Sequence, residues 1–137
     1  FQTTHFFQAL IHFTDWVVGH AHMVMFGVFS MWLLGVMTYL FPRLLGVDWY
    51  SRKLSEYHFW LSAGGLFVMA ADLIMLGVFQ GYYWSSLQPW EASVDGSYGF
   101  WVLRIWAGLA MFSGQVIFMY NLYKTWQLSK SVKTATA

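Results

Sequence analysis

The chain has 137 residues, of which 58% are hydrophobic, 22% aromatic and only 9% charged. Soluble domains carry about 25% charged residues, so this composition excludes an ordinary water-soluble globule and a disordered chain, and it predicts an all-α membrane protein. The net charge of +1 gives no reason to expect a nucleic-acid partner, and the absence of cysteine excludes disulfides and thiolate metal sites. Because the chain begins at Phe1 without a signal sequence, we expect it to be a piece of a longer protein.

Three stretches of the chain are long and apolar enough to cross a bilayer. Residues 17–41 contain no charged side chain, and residues 58–81 and 99–123 contain one each. A helix of roughly 25 residues is about 37 Å long, against a hydrocarbon core of about 30 Å. The sequence therefore predicts three transmembrane helices over about 17–41, 58–81 and 99–123, within a transmembrane portion that covers residues 1–128.

Lysine and arginine residues are concentrated on one side of these predicted helices. The first connection carries Arg43, Arg52 and Lys53, and three further lysines follow the third helix. Because two crossings separate these segments, they share a side, which the positive-inside rule makes cytoplasmic. We therefore expect residues 129–137 to form a polar, disordered cytoplasmic tail.

Two histidines lie inside the first predicted span, near its outer end. His20 and His22 are two residues apart, which corresponds to a rotation of about 200° on an α-helix. Their side chains therefore leave opposite faces, so they cannot chelate one ion, but each can present an imidazole to a different centre. A large planar prosthetic group on each flank suits this arrangement, since imidazole is an axial ligand of heme iron. The alternative is that both are hydrogen-bonded packing residues.

Four further polar residues lie in or beside the predicted spans. Arg104 lies at about the depth of the two histidines, where it either snorkels to the surface or binds an anion such as a heme propionate. His12 and Asp15 precede the first span at the same end; Asp15 is also a candidate helix cap, and His12 an interfacial histidine. Asp72 lies deep in the second span, where it either forms hydrogen bonds between helices or serves proton movement.

Residues 12–22, His-Phe-Thr-Asp-Trp-Val-Val-Gly-His-Ala-His, resemble the segment that enters the tenth core helix of the heme–copper oxidase superfamily. The segment looks most like the catalytic subunit of cbb3-type cytochrome c oxidases, although residues 23–27 depart from the commonest cbb3 sequence. The resemblance continues over nearly the whole chain, at residues 41–44, 50–52, 58–61, 80–81, 102–104 and 120–122. It implies that the three helices are helices ten to twelve of a twelve-helix core.

The resemblance also implies a role for each polar residue at the outer end. His20 would bind the iron of a high-spin b-type heme, and His22 the iron of a low-spin b-type heme. His12, Asp15 and Arg104 would lie near the heme propionates, where calcium is a candidate ion. Copper would be bound by residues outside this segment, so we expect no catalytic residue here beyond the heme ligands.

The implied protein is a terminal respiratory oxidase of the bacterial inner membrane, which reduces dioxygen to water with electrons from cytochrome c and pumps protons. The expected partners are the remainder of the catalytic subunit, membrane-anchored cytochrome c subunits, the lipid bilayer and dioxygen. Three alternatives stay open: a nitric oxide reductase-type catalytic subunit, a diheme electron-transfer subunit without substrate chemistry, and an accessory subunit whose histidines bind nothing. The residues that separate oxidase from reductase would lie outside this sequence.

Overall fold

The computed structural model describes residues 3–135 and consists of helices joined by short connections. In chain order these are α1 (His5–Ile11), α2 (Asp15–His22), a π-helical segment (Met23–Ser30), α3 (Met31–Leu45), α4 (Arg52–Ser85) and α5 (Trp90–Ala135). Three helical stretches are long and apolar enough to cross a membrane, namely Asp15–Leu45, Arg52–Ser85 and Trp90–Ala135. The predicted all-α architecture with three membrane-spanning helices is confirmed.

The helices extend beyond the predicted spans at both ends, and the connections shrink to residues 46–51 and 86–89. The first long helix begins early because the Thr14 side chain caps it, accepting a hydrogen bond from the backbone nitrogen of Trp16 at 3.3 Å. The helix ends at Gly46, which adopts a left-handed conformation with φ of 70°. A glycine reaches this conformation without steric cost, so it is a frequent residue directly after a helix.

The prediction of a disordered tail over residues 129–137 is wrong as far as Ala135, because α5 continues to that residue. No glycine or proline interrupts this part of the sequence. Asn121 is fully buried on α5 and holds the first connection, accepting a hydrogen bond from Ser51 N at 3.2 Å and donating one to Ser51 O at 2.9 Å. Ser129 is also buried. The last two residues of the tail lie outside the described part of the chain.

Glycine residues bring α2 close to α4. A Cβ atom added to Gly19 of α2 would lie 2.9 Å from Leu73 Cβ on α4. A Cβ atom added to Gly77 of α4 would overlap the backbone of Trp16. Small residues at such positions let membrane helices approach closely. The seating of α2 on α4 therefore fixes the directions in which the side chains of α2 point.

The structure adds a short helix, α1, which the sequence did not predict. Ile11 at its end is fully buried, and the carbonyl of Leu10 packs against Gly81 of α4 so closely that a Cβ atom there would overlap it. Phe13 has φ of 65° and turns the chain between α1 and α2. The contact at Gly81 positions the beginning of α2 against the end of α4.

Candidate functional site

His20 and His22 both lie in the α-helical segment α2. The half-buried His20 ring stacks on Trp16, with ring centroids 5.8 Å apart and planes inclined by 13°. The exposed His22 ring has Nδ1 2.8 Å from the carbonyl oxygen of Val18. Gly19 faces α4, and each residue rotates the side chain by about 100°. The two imidazoles therefore point to opposite flanks of the contact between α2 and α4.

The surroundings of His22 fit an axial heme ligand. The hydrogen bond between Nδ1 and the Val18 carbonyl orients the ring and leaves Nε2 as the nitrogen that can bind a metal, which is the usual arrangement of ligating histidines. Beside the ring lies an apolar cavity of about 350 Å³ that is also lined by Ala21, Met25 and Phe26. An imidazole nitrogen next to an apolar wall suits a large planar group such as heme.

On the opposite flank of α2, His20 is also able to bind a metal. Its ring nitrogens make no hydrogen bond within residues 3–135, and stacking on Trp16 fixes the plane of the ring. The most apolar part of the helix Asp15–Leu45 has none of its residues buried against the rest of the chain. Both flanks therefore present exposed apolar surface on which a prosthetic group can pack.

A π-helical segment, Met23–Ser30, begins directly after His22. Within it, Ser30 Oγ donates a hydrogen bond of 3.0 Å to the carbonyl of Met25, five residues earlier. Such segments are rare and often occur at functional sites. The sequence did not indicate this one, because Ser30 is its only polar residue and the pattern therefore has no period to read.

Three residues from three helices join at the end of the bundle where α2 begins; we call Asp15, Gln80 and Arg104 the polar clamp. Gln80 Oε1 accepts a hydrogen bond from Asp15 N at 2.8 Å, and Gln80 Nε2 donates one to Asp15 Oδ2 at 2.9 Å. Arg104 Nη1 lies 3.5 Å from Asp15 Oδ1. Asp15 is also favoured at the first position of α2 by the helix dipole. Sequence reasoning did not select Gln80, since a lone glutamine at the end of a span carries no specific signal.

The structure brings together only two of the three residues that the sequence assigned to the propionate region. Asp15 and Arg104 meet in the polar clamp, whereas His12 is exposed and has Nδ1 2.8 Å from Gln8 Nε2. Asp15 is not the N-cap of the helix, because Thr14 has that role. Arg104 faces the carboxylate of Asp15, and its other guanidinium nitrogens have no partner within the described residues.

Two polar side chains of α4 are buried. Asp72 is only 3% exposed, and within residues 3–135 neither of its carboxyl oxygens has a hydrogen-bond partner, so the hydrogen bond between helices that was one of its two alternatives is not formed there. His58 is buried, with Nδ1 3.0 Å from the Gly114 carbonyl oxygen and its ring stacked on Phe118 at 4.4 Å. His58 therefore joins α4 to α5.

Within the part of the chain that the structure describes, no three histidine, aspartate or glutamate side chains gather into a group that could hold a metal ion. Because the two rings leave α2 in opposite directions, each can give one ligand to a separate metal, as at a heme iron.

The sequence model of the family described as "Cytochrome C and Quinol oxidase polypeptide I" matches residues 1–110, which include both histidines and the polar clamp. The chain belongs to this family. It is thus a member of the subunit I family of heme–copper oxidases, whose membership implies hemes and copper in the whole subunit.

Three curated relatives illustrate this membership. A cytochrome c oxidase subunit 1 homolog of Agrobacterium tumefaciens is 34% identical over 126 residues, which are 86% of this chain and 23% of the relative. The cbb3-type cytochrome c oxidase subunit CcoN1 of Stutzerimonas stutzeri is 30% identical over 90% of this chain and 28% of its own length. Cytochrome c oxidase subunit 1 of Rhodobacter capsulatus is 32% identical over 93% of this chain and 25% of its own length. The chain therefore spans about a quarter of the length of these relatives.

Proposed function

We propose that the chain forms the C-terminal transmembrane part of the catalytic subunit of a cbb3-type oxidase. The whole enzyme would reduce dioxygen to water with electrons from cytochrome c and couple this reaction to proton pumping. The observation that carries the proposal is the pair of imidazoles on opposite flanks of α2, one of them oriented by a backbone carbonyl. A cbb3-type subunit among the relatives, at 30% identity, supports the choice of subtype.

In this proposal His22 would hold the iron of a low-spin b-type heme, and His20 would hold the iron of a high-spin b-type heme. The hemes, when bound, supply one-electron transfer and the place where dioxygen is reduced. The chain itself orients the two rings: the Val18 carbonyl holds His22, and Trp16 stacks on His20. The remainder of the catalytic subunit would supply the other heme ligand and the copper ligands.

In the proposal the polar clamp both positions the two histidines and binds the heme propionates. It joins the beginning of α2 to α4 and α5, and so fixes the position of both histidines along the bundle. The guanidinium nitrogens of Arg104 that Asp15 leaves free would bind heme propionates. Calcium is a candidate ion at the carboxylate of Asp15, since calcium takes oxygen ligands. His12 would contribute to the propionate region only from its exposed position.

Metal and heme analysis of the purified native complex tests the proposed activity. We expect a pyridine hemochrome assay to give two b-type hemes for each copy of this chain, and elemental analysis to give copper. Non-heme iron in place of copper would indicate a nitric oxide reductase-type subunit, and two hemes without a further metal would indicate an electron-transfer subunit. A complex without heme would contradict the proposal and leave an accessory subunit.

Replacing Arg104 by glutamine is expected to lower the midpoint potential of at least one heme. The positive charge of Arg104 disfavours the ferric state in the native protein, so its removal stabilises that state. Asp15 partly neutralises Arg104, and both side chains are partly exposed, at 37% for Arg104 and 18% for Asp15. An interaction of this kind is worth up to about 1 kcal/mol, which corresponds to a shift of about 40 mV in a one-electron couple.

The matched variant for this test is Asp15→Asn, which should shift the potential in the opposite direction. The double variant should lie close to the native value in a redox titration of the heme-replete complex. Unchanged potentials in both single variants would show that the clamp lies outside the electrostatic reach of either heme.

The proposed topology places the first connection and the C-terminus in the cytoplasm. Cysteines introduced at Asp48 and Leu87 should react with a membrane-impermeant maleimide from opposite sides, with Leu87 accessible from the periplasm. Both positions are exposed, Leu87 at 98%, whereas Ser93 in the same outer region is buried beneath Trp84 and would label poorly. Labelling of both cysteines from one side would contradict three crossings.

A further inference from the structure

A cavity of about 970 Å³ lies between α3, the first connection and the beginning of α4, and none of its lining residues belongs to α2. It runs along α3 from Met31 to Arg43, which is about 18 Å of helix. This length is close to the thickness of one leaflet, half of the hydrocarbon core of about 30 Å. The cavity is therefore long enough to accept an acyl chain from one leaflet.

The walls of this cavity change character along its length. Its inner part is mostly apolar, formed by Met31, Leu34 and Gly35 of α3 and Phe59 of α4, with His58 beside Phe59. Gly35 leaves the floor open, since a Cβ atom added there would have nothing within 4 Å. An apolar channel with an open floor fits a hydrocarbon chain.

The mouth of the cavity carries two arginines, Arg43 and Arg52. Arg43 is held in place: its guanidinium carbon lies 3.5 Å from the centroid of the Tyr39 ring, and Nη1 donates a hydrogen bond of 2.6 Å to the Tyr39 carbonyl. Arg52 Nη2 lies 3.7 Å from Asp48 Oδ2, but both side chains are more than 80% exposed, so this pair is weak. The mouth therefore keeps a net positive charge.

The wall beside the mouth is fixed by Trp49, whose Nε1 donates a hydrogen bond of 3.1 Å to the Thr38 carbonyl. Tryptophan, tyrosine and arginine together are typical of the headgroup level of a bilayer. Basic pockets between membrane helices bind anionic lipid headgroups, and the planar guanidinium matches a phosphate with two hydrogen bonds. We propose that this cavity binds an anionic phospholipid, with its phosphate between Arg43 and Arg52 and one acyl chain along Gly35 and Phe59.

The two ends of the site can be tested separately in the purified full complex, with a photoactivatable phosphatidylglycerol as the probe. The double variant Arg43→Gln/Arg52→Gln should lower its crosslinking to this cavity roughly 25-fold, about fivefold for each arginine. Gly35→Leu fills the open floor and should also abolish crosslinking, without disturbing the cations.

Matched controls are available for both changes. Lys53→Gln removes a neighbouring cation that does not line the cavity, and Gly108→Leu adds the same side chain at another helix position where a Cβ atom would meet nothing within 4 Å. Both should crosslink as the native complex does. Three results would each overturn the proposal. The first is equal crosslinking of a photoactivatable phosphatidylcholine, and the second is a loss of crosslinking in the arginine variant but not in Gly35→Leu, which would indicate a site for free phosphate. The third is crosslinking of the native cavity to another protein segment.

Discussion

Replacing His22 by alanine is expected to remove the low-spin heme spectrum from the assembled complex and to stop electron entry into the high-spin heme. The His22→Ala change deletes a ring whose Nδ1 is fixed by a backbone carbonyl, at 2.8 Å from Val18 O. His20→Ala should instead spare most of the low-spin spectrum and abolish carbon monoxide binding at the high-spin heme. The two variants should differ because the rings leave α2 about 200° apart. Optical and electron paramagnetic resonance spectra of each complex measure the difference.

His5→Ala is the control for both changes, since His5 is exposed on α1 and belongs to neither flank. A second variant, His22→Gly, separates ligation from packing: added imidazole should restore the low-spin spectrum if the ring serves as a metal ligand. Identical spectral losses in His20→Ala and His22→Ala would contradict the assignment of two centres, and failure of imidazole to restore an assembled His22→Gly complex would contradict ligation by His22.

Replacing Gly77 by leucine is expected to displace α2 and so to disturb both hemes at once. A Cβ atom at Gly77 would overlap the backbone of Trp16, the residue whose ring stacks on His20. Forcing extra atoms into such a contact costs about 1–3 kcal/mol or more, because the neighbour that must move is backbone. We expect a lower melting temperature of the complex and heme content that falls for both hemes together.

Gly64→Leu is the matched control on the same helix, since a Cβ atom at Gly64 would meet nothing within 4 Å. This variant should retain the native melting temperature and both hemes. If the Gly77→Leu complex does not assemble, Gly77→Ala replaces it in the test. This variant should show smaller decreases in melting temperature and in the content of both hemes. Native stability and heme content in both Gly77 variants would show that the contact between α2 and α4 does not position the histidines.

The number of membrane helices was readable from the sequence, whereas their ends were not. Long runs without charge are unmistakable, but helix ends depend on single hydrogen bonds, such as the Thr14 cap, and on contacts such as that of Asn121 with Ser51. The polar C-terminal segment was also misread: polarity alone suggested a tail, but no glycine or proline interrupts the segment and α5 continues to Ala135.

In the candidate site, too, some features could be predicted from the sequence and others depend on packing. The opposite directions of His20 and His22 follow from helical geometry alone, and the structure places both in one α-helical segment. The grouping of Asp15 with Gln80 and Arg104 depends on how three helices pack, as does the exclusion of His12 from that group. Such distances between residues far apart in sequence are set by glycine contacts, which no local pattern reveals.

The central claim is that two hemes lie on opposite flanks of α2 and that each takes one imidazole from this helix. A structure of the intact complex determined by electron cryomicroscopy tests it most directly. We predict two planar hemes, with the iron of one bound by Nε2 of His22 and the iron of the other bound by His20. Both imidazoles on one iron, or density in which neither ring reaches an iron atom, would contradict the account.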